Sequence, residues 1–284
     1  SSVDVLVIAT TADLHHRLAC EAIALGFSRI VIEKPVTQSV AQAVDIRLRA
    51  EAAGARIVVN HGRRYCEAYS RLRRSKAAFN LGEVRSVTMR FGGGSLGCVG
   101  THWIDLATAI VDARAVSVFA TETTPAANPR GARFVDPGAS LMIVFENGAV
   151  AYIDTRDDVG FLGGLSVSFS RGEVSWRDEF GPWSLRRRAP ADFDQPLTRY
   201  GLPLTETTML PSEAARGGTG PWPYAGANAI LSYVASAIDD ALSDDPPVSG
   251  IGAAIETMRV YAGLVESARS GRDLVLDALD DGVL

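Results

Sequence analysis

Three short apolar runs within the first 60 residues constrain the fold of this chain more than any other feature. They are Val5–Ala9, Arg29–Ile32 and Arg56–Asn60. A continuous apolar run of strand length is typical of a strand covered on both faces, as in a parallel sheet. Apolar residues at helical spacing fill the segments between the runs. The order strand, helix, strand, helix, strand therefore predicts a parallel α/β layer.

Capping and turn residues indicate where the two helices begin and end. Polar residues at 10–13 can cap the first helix, which we expect to end at Gly26. Ser39 and Gln42 have the spacing of a capping box and predict the start of the second helix, which Gly54 closes. The connections are short, as expected for a parallel α/β layer.

The pattern changes after Gly82. Tight-turn sequences separate pairs of strand-like segments, and strands joined by tight turns predict an antiparallel sheet. Residues 184–226 are rich in Pro, Gly and Thr, and we expect them to be irregular. The predicted elements from residue 65 onward are strands at 84–91, 139–145, 149–154, 165–169 and 173–176, and helices at 65–80, 227–241 and 251–269.

Composition excludes several classes of function. A net charge of −5 and a pI near 5.5 argue against a broad nucleic-acid or polybasic membrane surface. No apolar run approaches the roughly 20 residues needed to span a bilayer. The three cysteines, Cys20, Cys66 and Cys98, have unrelated spacings and do not form a disulfide framework. We expect a cytoplasmic protein with reduced thiols and neither nucleic-acid nor membrane partners.

Four stretches, in this order, resemble motifs of the glucose-fructose oxidoreductase/inositol dehydrogenase/rhizopine catabolism (Gfo/Idh/MocA) family. Each motif is weak alone, and the order and spacing carry the match. In the third motif, Gly62 stands where the family pattern has Asn. The stretches are Ile8–Thr11 with Leu14-His15, then Glu33-Lys34-Pro35, then His61-Gly62-Arg63-Arg64-Tyr65, and finally Gly100-Thr101-His102-Trp103-Ile104-Asp105.

The resemblance implies an α/β fold of two parts. An incomplete Rossmann-like parallel sheet is followed by an α+β domain with a large, mostly antiparallel open sheet. We expect the C-terminal part of a dinucleotide-binding domain at 1–80 and a substrate-binding and oligomerisation domain at 81–284. The implied cofactor is NAD or NADP, and the implied substrate is a sugar or polyol. The resemblance also implies a homo-oligomer, a dimer or tetramer, formed through the open sheet.

One family feature is missing from the sequence. Such proteins begin with a strand, a Gly-x-Gly-x-x-Gly turn that holds the pyrophosphate, and an acidic residue for the ribose, and none of these occurs here. We expect an N-terminal truncation. We also expect this chain alone to bind NAD(H) or NADP(H) weakly or not at all, which would leave it inactive by itself.

Lys34 and His102 are the candidate catalytic residues. Lys34 ends a buried strand, where ligands of parallel sheets bind, and its ammonium group can orient a substrate hydroxyl or act as an acid or base. Pro35 restricts Lys34 to extended backbone conformations. By resemblance, His102 takes the position of the family's active-site histidine. A solvated lysine at a turn and a structural histidine are the alternatives.

By resemblance, other residues contact the two ligands. Asp105, three residues after His102, either orients that histidine or is structural, and we favour the structural role. Arg186–Arg188 could meet the diphosphate of a nucleotide-sugar or simply be solvated. The predicted cofactor contacts are Ala9, Thr10, Thr11, Leu14, His15, Glu33, Lys34 and Arg64, and the predicted substrate contacts are Lys34, Cys98, His102 and Arg63. For Arg63 and Arg64 the alternative is that they simply pair with surface carboxylates.

Cys98 departs from the common pattern, since many members carry Asp four residues before this histidine. A thiol cannot reproduce the acceptor pair or the fixed charge of a carboxylate. Cys98 and His102 could also be two metal ligands, but no further Cys or His cluster supports that interpretation. We therefore predict no metal. Two functions stay open, an NAD(P)-dependent sugar or polyol oxidoreductase and a non-catalytic sugar-binding or assembly subunit.

Overall fold

A computed structural model describes residues 3–92, 95–123, 136–156, 163–177, 183–193, 195–196, 206–210 and 227–279. The first part contains β1 (Leu6–Ile8), α1 (Ala12–Ala24), β2 (Arg29–Glu33), α2 (Val40–Ala53) and β3 (Arg56–Asn60). The three strands form a parallel sheet in the order β1-β2-β3, which confirms the predicted α/β layer.

The predicted cap residues of α2 act as expected. The Ser39 hydroxyl accepts a hydrogen bond from the Gln42 backbone N–H at 3.3 Å. The Gln42 side chain accepts from the backbone N–H of Gln38, so the reciprocal bond of the box is displaced by one residue. Gly54 ends the helix in the left-handed conformation, with φ of +65°.

Helices cover both faces of the parallel sheet. Successive strand residues point to opposite faces, so Ile30 and Ile32 pack with α1 and α2, whereas Val31 packs with Ala237 and Ala241. The last two residues belong to a helix far along the chain, α5 (Ala227–Leu242). A strand buried on both sides needs apolar residues at every position, which explains the unbroken apolar runs.

The segment after β3 begins with a single 3₁₀ turn, Gly62–Tyr65, and continues as α3 (Glu67–Ala78). The helix expected over 65–80 is therefore shorter than predicted. This turn follows β3 and contains Arg63 and Arg64 of the third family motif.

The second part is a sheet of nine described strands, and it confirms the predicted mostly antiparallel sheet. Their order is β11-β10-β9-β8-β4-β7-β6-β5-β12. Among the described strands of this second sheet, only β4 and β7 pair in parallel. The strands are β4 (Val84–Arg90), β5 (Ala115–Glu122), β6 (Ala139–Phe145), β7 (Val150–Asp154), β8 (Leu165–Phe169), β9 (Gly172–Trp176), β10 (Trp183–Arg187), β11 (Glu206–Leu210) and β12 (Leu274–Val275).

Two of these strands correct the expectation that residues 184–226 are irregular. Trp183–Arg187 pairs antiparallel with Glu206–Leu210 at one edge of the sheet. Trp183 and Leu185 alternate with Ser184 and Arg186, and the first two are buried. The alternation is only five residues long and lies beside a Pro- and Gly-rich stretch, so composition concealed it. Residues 194, 197–205 and 211–226 of this stretch lie outside the described residues.

The helix α4 (Thr101–Val111) follows a π-helical turn, Leu96–Gly100, and packs on the second sheet together with α6 (Ile251–Ser270). Helix α6 also contacts the first layer. Its Ile255 and Met258 belong to the core of the parallel sheet, whereas Val260 and Leu264 belong to the core of the large sheet. One helix therefore joins the two cores. No helix among the described residues is both long and apolar enough to cross a membrane.

A buried carboxylate, Asp105 of α4, ties this helix to both neighbouring segments. Each Asp105 oxygen accepts from Arg64 Nε at 2.9 Å, and Oδ1 also accepts from the Thr257 hydroxyl of α6 at 3.2 Å. The Asp105 side chain is completely buried, and that of Arg64 is only 10% exposed. These contacts agree with the structural role that the sequence favoured for Asp105.

We expect Asp105→Asn to destabilise the protein by about 3–5 kcal/mol, because the amide leaves the buried Arg64 guanidinium without an opposite charge. Urea denaturation followed by circular dichroism measures the change. Asp277→Asn is the matched control, since Asp277 pairs with Arg114 and Arg259 on the surface and is 54% exposed. That variant should lose far less stability, because solvent screens an exposed ion pair. Equal losses in the two variants would contradict the role of Asp105.

Gly62 is explained by a contact with Tyr233 of α5. A Cβ at Gly62 would lie 2.6 Å from Cδ2 and 2.8 Å from Cγ of the tyrosine ring, closer than carbon atoms approach in proteins. The ring therefore occupies the space that a side chain at position 62 needs. Glycine fits at position 62 because it leaves room for the large side chain of Tyr233 on α5.

Gly62→Ala should cost about 1–3 kcal/mol through overpacking. The same change in a Tyr233→Ala background should cost much less, because alanine lacks the Cγ and Cδ2 atoms that lie closest to position 62. A double-mutant cycle from urea denaturation measures the coupling. Additive free energies would show that the Tyr233 ring is not what restricts position 62.

Candidate active site

A cleft of about 980 Å³ lies at the carboxyl ends of β1 and β2. Six of the predicted site residues border it: Ala9, Thr10, Thr11, Glu33, Lys34 and Cys98. The opposite wall comes from the second part of the chain. It includes Gly97, Thr101, Asp136, Met258 and Tyr261, of which the sequence interpretation assigned none to the site.

Lys34 lies where the two walls meet. Its Nζ donates a hydrogen bond to the backbone carbonyl of Cys98 at 2.5 Å, which joins the end of β2 to the π-helical turn. The Lys34–Pro35 peptide bond is cis. The neighbouring Glu33 carboxylate accepts from Asn60 Nδ2 at 2.6 Å, at the end of β3. The ammonium group is thus presented at the carboxyl edge of the sheet, as predicted for a ligand-binding lysine.

His15 lies under the cleft rather than on its surface. Its ring is 1% exposed, with Nδ1 3.0 Å from the Pro35 carbonyl and Nε2 3.1 Å from the Thr10 carbonyl. A neutral imidazole has one N–H and donates to one of these carbonyls at a time. His15 therefore connects the two loops that border the cleft. Leu14, also a predicted cofactor contact, is 36% exposed and does not border the cleft.

His102 lies in the first turn of α4, one residue after Thr101. Its Nδ1 is buried and has no hydrogen-bond partner among the described residues. The ring stands edge-on to that of His61, with 6.4 Å between centroids. Burial lowers the pKa of His102 well below the ordinary value, and the charges of Arg63 and Lys34 lower it further. The imidazole is therefore neutral near pH 7, and the residue does not itself border the cleft, unlike the neighbouring Thr101.

The two arginines after β3 are engaged elsewhere and do not border the cleft. The Arg63 guanidinium carbon lies 3.7 Å from the centroid of the Trp103 ring, and the residue is 7% exposed. Arg64 is held by the Asp105 carboxylate. Arg188, another candidate for ligand binding, is 8% exposed and donates to the backbone carbonyls of Asp192, Phe193 and Gln195.

The cleft suits the nicotinamide cofactor that the resemblance implies. Nucleotides bind open α/β sheets at the carboxyl ends of the strands, and the volume lies within the range of small-molecule sites. The first turn of α1 borders the cleft, and its N-cap Thr11 makes no side-chain capping bond, so backbone N–H groups there stay available to a ligand. Ala9–Thr11, Glu33 and Lys34 are the residues that would hold the cofactor.

One group of possible metal ligands lies outside the cleft among the described residues. His16 and Cys20 of α1 and Asp45 of α2 place one donor atom each within 4.8 Å of one another. The Asp45 oxygen already accepts from His16 at 2.8 Å and from Arg49 at 2.9 Å. These bonds, that from Arg49 first, lower the pKa of Asp45 to about 2. The contacts of Asp45 with His16 and Arg49 explain this group as a surface network of ion pairs and hydrogen bonds.

Comparison with solved structures finds proteins of the same fold. An oxidoreductase from Agrobacterium radiobacter in complex with NAD+, L-tartaric acid and magnesium is 17% identical, with a TM-score of 0.78 over 98% of this chain and 81% of that one. An inositol dehydrogenase homolog from Azotobacter vinelandii, complexed with NADH and myo-inositol, is 20% identical, with a TM-score of 0.69 over 96% and 78%.

An aldose-aldose oxidoreductase from Caulobacter crescentus complexed with glycerol is 20% identical, with a TM-score of 0.70 over 96% of this chain and 79% of that one. At these identities the likeness shows the fold alone. A comparison with curated proteins finds no match.

Two family models match the sequence directly. The model for the oxidoreductase family with an NAD-binding Rossmann fold matches residues 1–61, and the model for the GFO/IDH/MocA C-terminal domain matches residues 71–175. Together the matches cover more than half of the chain, in the order that the four motifs and the two sheets require. The chain belongs to the Gfo/Idh/MocA family of NAD-binding oxidoreductases.

Proposed function

We propose that this protein is an NAD(P)-dependent oxidoreductase that transfers hydride between nicotinamide and a hydroxyl or carbonyl carbon of a sugar, polyol or sugar derivative. The observation that carries the proposal is the position of Lys34. Its ammonium group stands at the carboxyl edge of the parallel sheet, in a cleft that both parts of the chain enclose. Helix α4, which carries His102, begins at Thr101, another residue that borders this cleft.

The fold neighbours support the substrate class. Two of the solved structures of this fold contain polyhydroxylated molecules, myo-inositol in the Azotobacter vinelandii protein and glycerol in the Caulobacter crescentus protein. Three solved structures of this fold contain a nicotinamide cofactor, as NAD+, NAD and NADH. We extend this ligand class to the cleft at Lys34.

The chemistry follows from the protonation states of two side chains. When bound, the nicotinamide ring supplies the acceptor or donor of hydride. Lys34 would donate a hydrogen bond to the substrate oxygen and orient it, since an ammonium group is a donor with three N–H bonds and no acceptor. His102 follows Thr101, which borders the cleft, and in this mechanism it would take the hydroxyl proton as the alcohol is oxidised and return it in the reverse direction.

The second candidate function is a non-catalytic sugar-binding or assembly subunit. Cys98 favours it, because the cleft has a thiol where many family members have a carboxylate. Both functions use the same cleft and differ in whether hydride moves. Binding of a polyol without any oxidation or reduction of nicotinamide by the full-length protein would select the second.

Lys34→Ala and His102→Ala should each lower turnover by about 10²-fold or more in the full-length protein, since each removes a group that handles the substrate proton. Nicotinamide absorbance during polyol oxidation measures the rate. Lys76→Ala and His16→Ala are matched controls, because both side chains form surface ion pairs away from the cleft. Unchanged rates in the first two variants would remove those residues from the mechanism.

We also propose that the large sheet forms a homo-oligomer, a dimer or tetramer, through its open face. Tyr152 of β7 is 47% exposed there and lies in register with Thr88 of β4 and Met142 of β6. The alternate residues of these strands, such as Ala151 and Ile153, are buried beneath the helices. An aromatic residue at the centre of a partly apolar face is typical of a subunit contact.

Tyr152→Glu should dissociate the oligomer, because a buried interface would have to accommodate an unpaired carboxylate. Light scattering after size-exclusion chromatography measures the mass. Leu48→Glu is the control, since Leu48 is 55% exposed on α2, outside the large sheet. A monomeric parent protein, or an unchanged mass for Tyr152→Glu, would contradict the proposal.

A further inference from the structure

Asp136 brings a carboxylate into the cleft from a distant part of the sequence. Its Oδ1 accepts from the backbone N–H of Gly97 at 2.7 Å, and its Oδ2 accepts from the N–H of Cys98 at 2.9 Å. Both amides belong to the π-helical turn whose Cys98 carbonyl binds Lys34. The two hydrogen bonds hold the carboxylate in one position on the cleft wall.

Tyr261 of α6 reaches the same point as Asp136. A Cβ built on Gly97 would lie 3.1 Å from the Tyr261 hydroxyl oxygen and 3.2 and 3.3 Å from the two Asp136 oxygens. The phenol and the carboxylate therefore flank one small space that glycine leaves empty. Both residues border the cleft together with Lys34.

The Tyr261 hydroxyl is available as a hydrogen-bond donor. Burial raises the pKa of Tyr261 to about 12, and the charges of Asp136 and Glu122 contribute to the rise. The phenol therefore stays protonated at neutral pH. Next to it, a carboxylate offers about four lone-pair sites, of which the amides of Gly97 and Cys98 use two.

We propose that Asp136 and Tyr261 form a subsite that binds a hydroxyl group of a neutral polyol or sugar, beside the reacting carbon at Lys34. The carboxylate accepts a hydrogen bond from the ligand hydroxyl, and the phenol donates a hydrogen bond to the oxygen of the same hydroxyl. A ligand carboxylate at this point meets the like charge of Asp136, so the subsite selects neutral polyols over sugar acids. The proposal rests on the function proposed above for the cleft.

The geometry distinguishes a subsite from a simple cap of the turn. A cap needs one or two acceptor atoms and no cavity, whereas here the carboxylate faces an open cleft with a second polar group beside it. Met258, Thr101 and Lys34 complete the wall, which thus offers an apolar surface together with donors and an acceptor. Such a mixture suits the carbon ring and hydroxyl groups of a polyol.

The test is the affinity of the full-length protein for myo-inositol and for L-tartrate, measured by calorimetry with NADH present. Asp136→Asn keeps one oxygen for a backbone amide but removes the charge. We expect it to weaken myo-inositol binding about tenfold, the usual effect of losing a hydrogen bond to a charged group. The affinity for L-tartrate should stay the same or rise. Asp154→Asn is the control, since Asp154 accepts from the Arg156 amide and does not border the cleft.

Tyr261→Phe provides a second variant that leaves the backbone amides of the turn untouched. It should also weaken myo-inositol selectively, which keeps the test valid if Asp136→Asn does not fold. Unchanged myo-inositol affinity in the folded variants, equal weakening of both probes, or no binding of myo-inositol by the parent protein would each overturn the subsite. Binding that depends on Asp136 without any hydride transfer would support the subsite and reject the proposed function. Turnover that does not depend on Asp136 would support the proposed function and reject the subsite.

Discussion

The Asp105 carboxylate is completely buried, and segments that are distant in sequence meet at it. Arg64 arrives from the turn after β3, Thr257 from α6, and Asp105 itself from α4. A buried charge of this kind is stable only while its partner is in place, so the three segments have one relative arrangement. That arrangement brings the end of β2 against the π-helical turn before α4. The Lys34 bond to the Cys98 carbonyl depends on it.

The C-terminal helices show why the cleft has two walls from different parts of the chain. Helix α5 covers one face of the parallel sheet, and Asp240 at its end accepts from Arg56 of β3 and from the hydroxyl of Tyr65. Helix α6 fills both cores and carries Met258 and Tyr261 into the cleft. A site at the edge of the first sheet is thereby completed by residues more than 220 positions after Lys34 in the chain.

Local patterns predicted the elements well and the site only in part. Strands at 29–33 and 56–60 were predictable because burial on both faces leaves an unbroken apolar signal, and Ser39 and Gly54 marked the ends of α2. The strands at 115–122 and 183–187 were missed, because their alternation is weak or short. Asp136 and Tyr261 had no local signal at all, since only the tertiary fold places them beside Lys34.

The two departures from the family motifs have the same kind of structural context. Gly62 adjoins the Tyr233 ring, and Cys98 adjoins the Asp136 carboxylate, which accepts from the Cys98 amide. In each case a residue from a distant segment stands next to the small or uncharged residue in the motif. Viewed along the sequence, each substitution is a loss of a polar side chain. In three dimensions the Tyr233 ring fills the space at Gly62, and Asp136 places a carboxylate beside Cys98. A motif that departs from the family pattern in sequence can therefore be compensated by residues from distant segments.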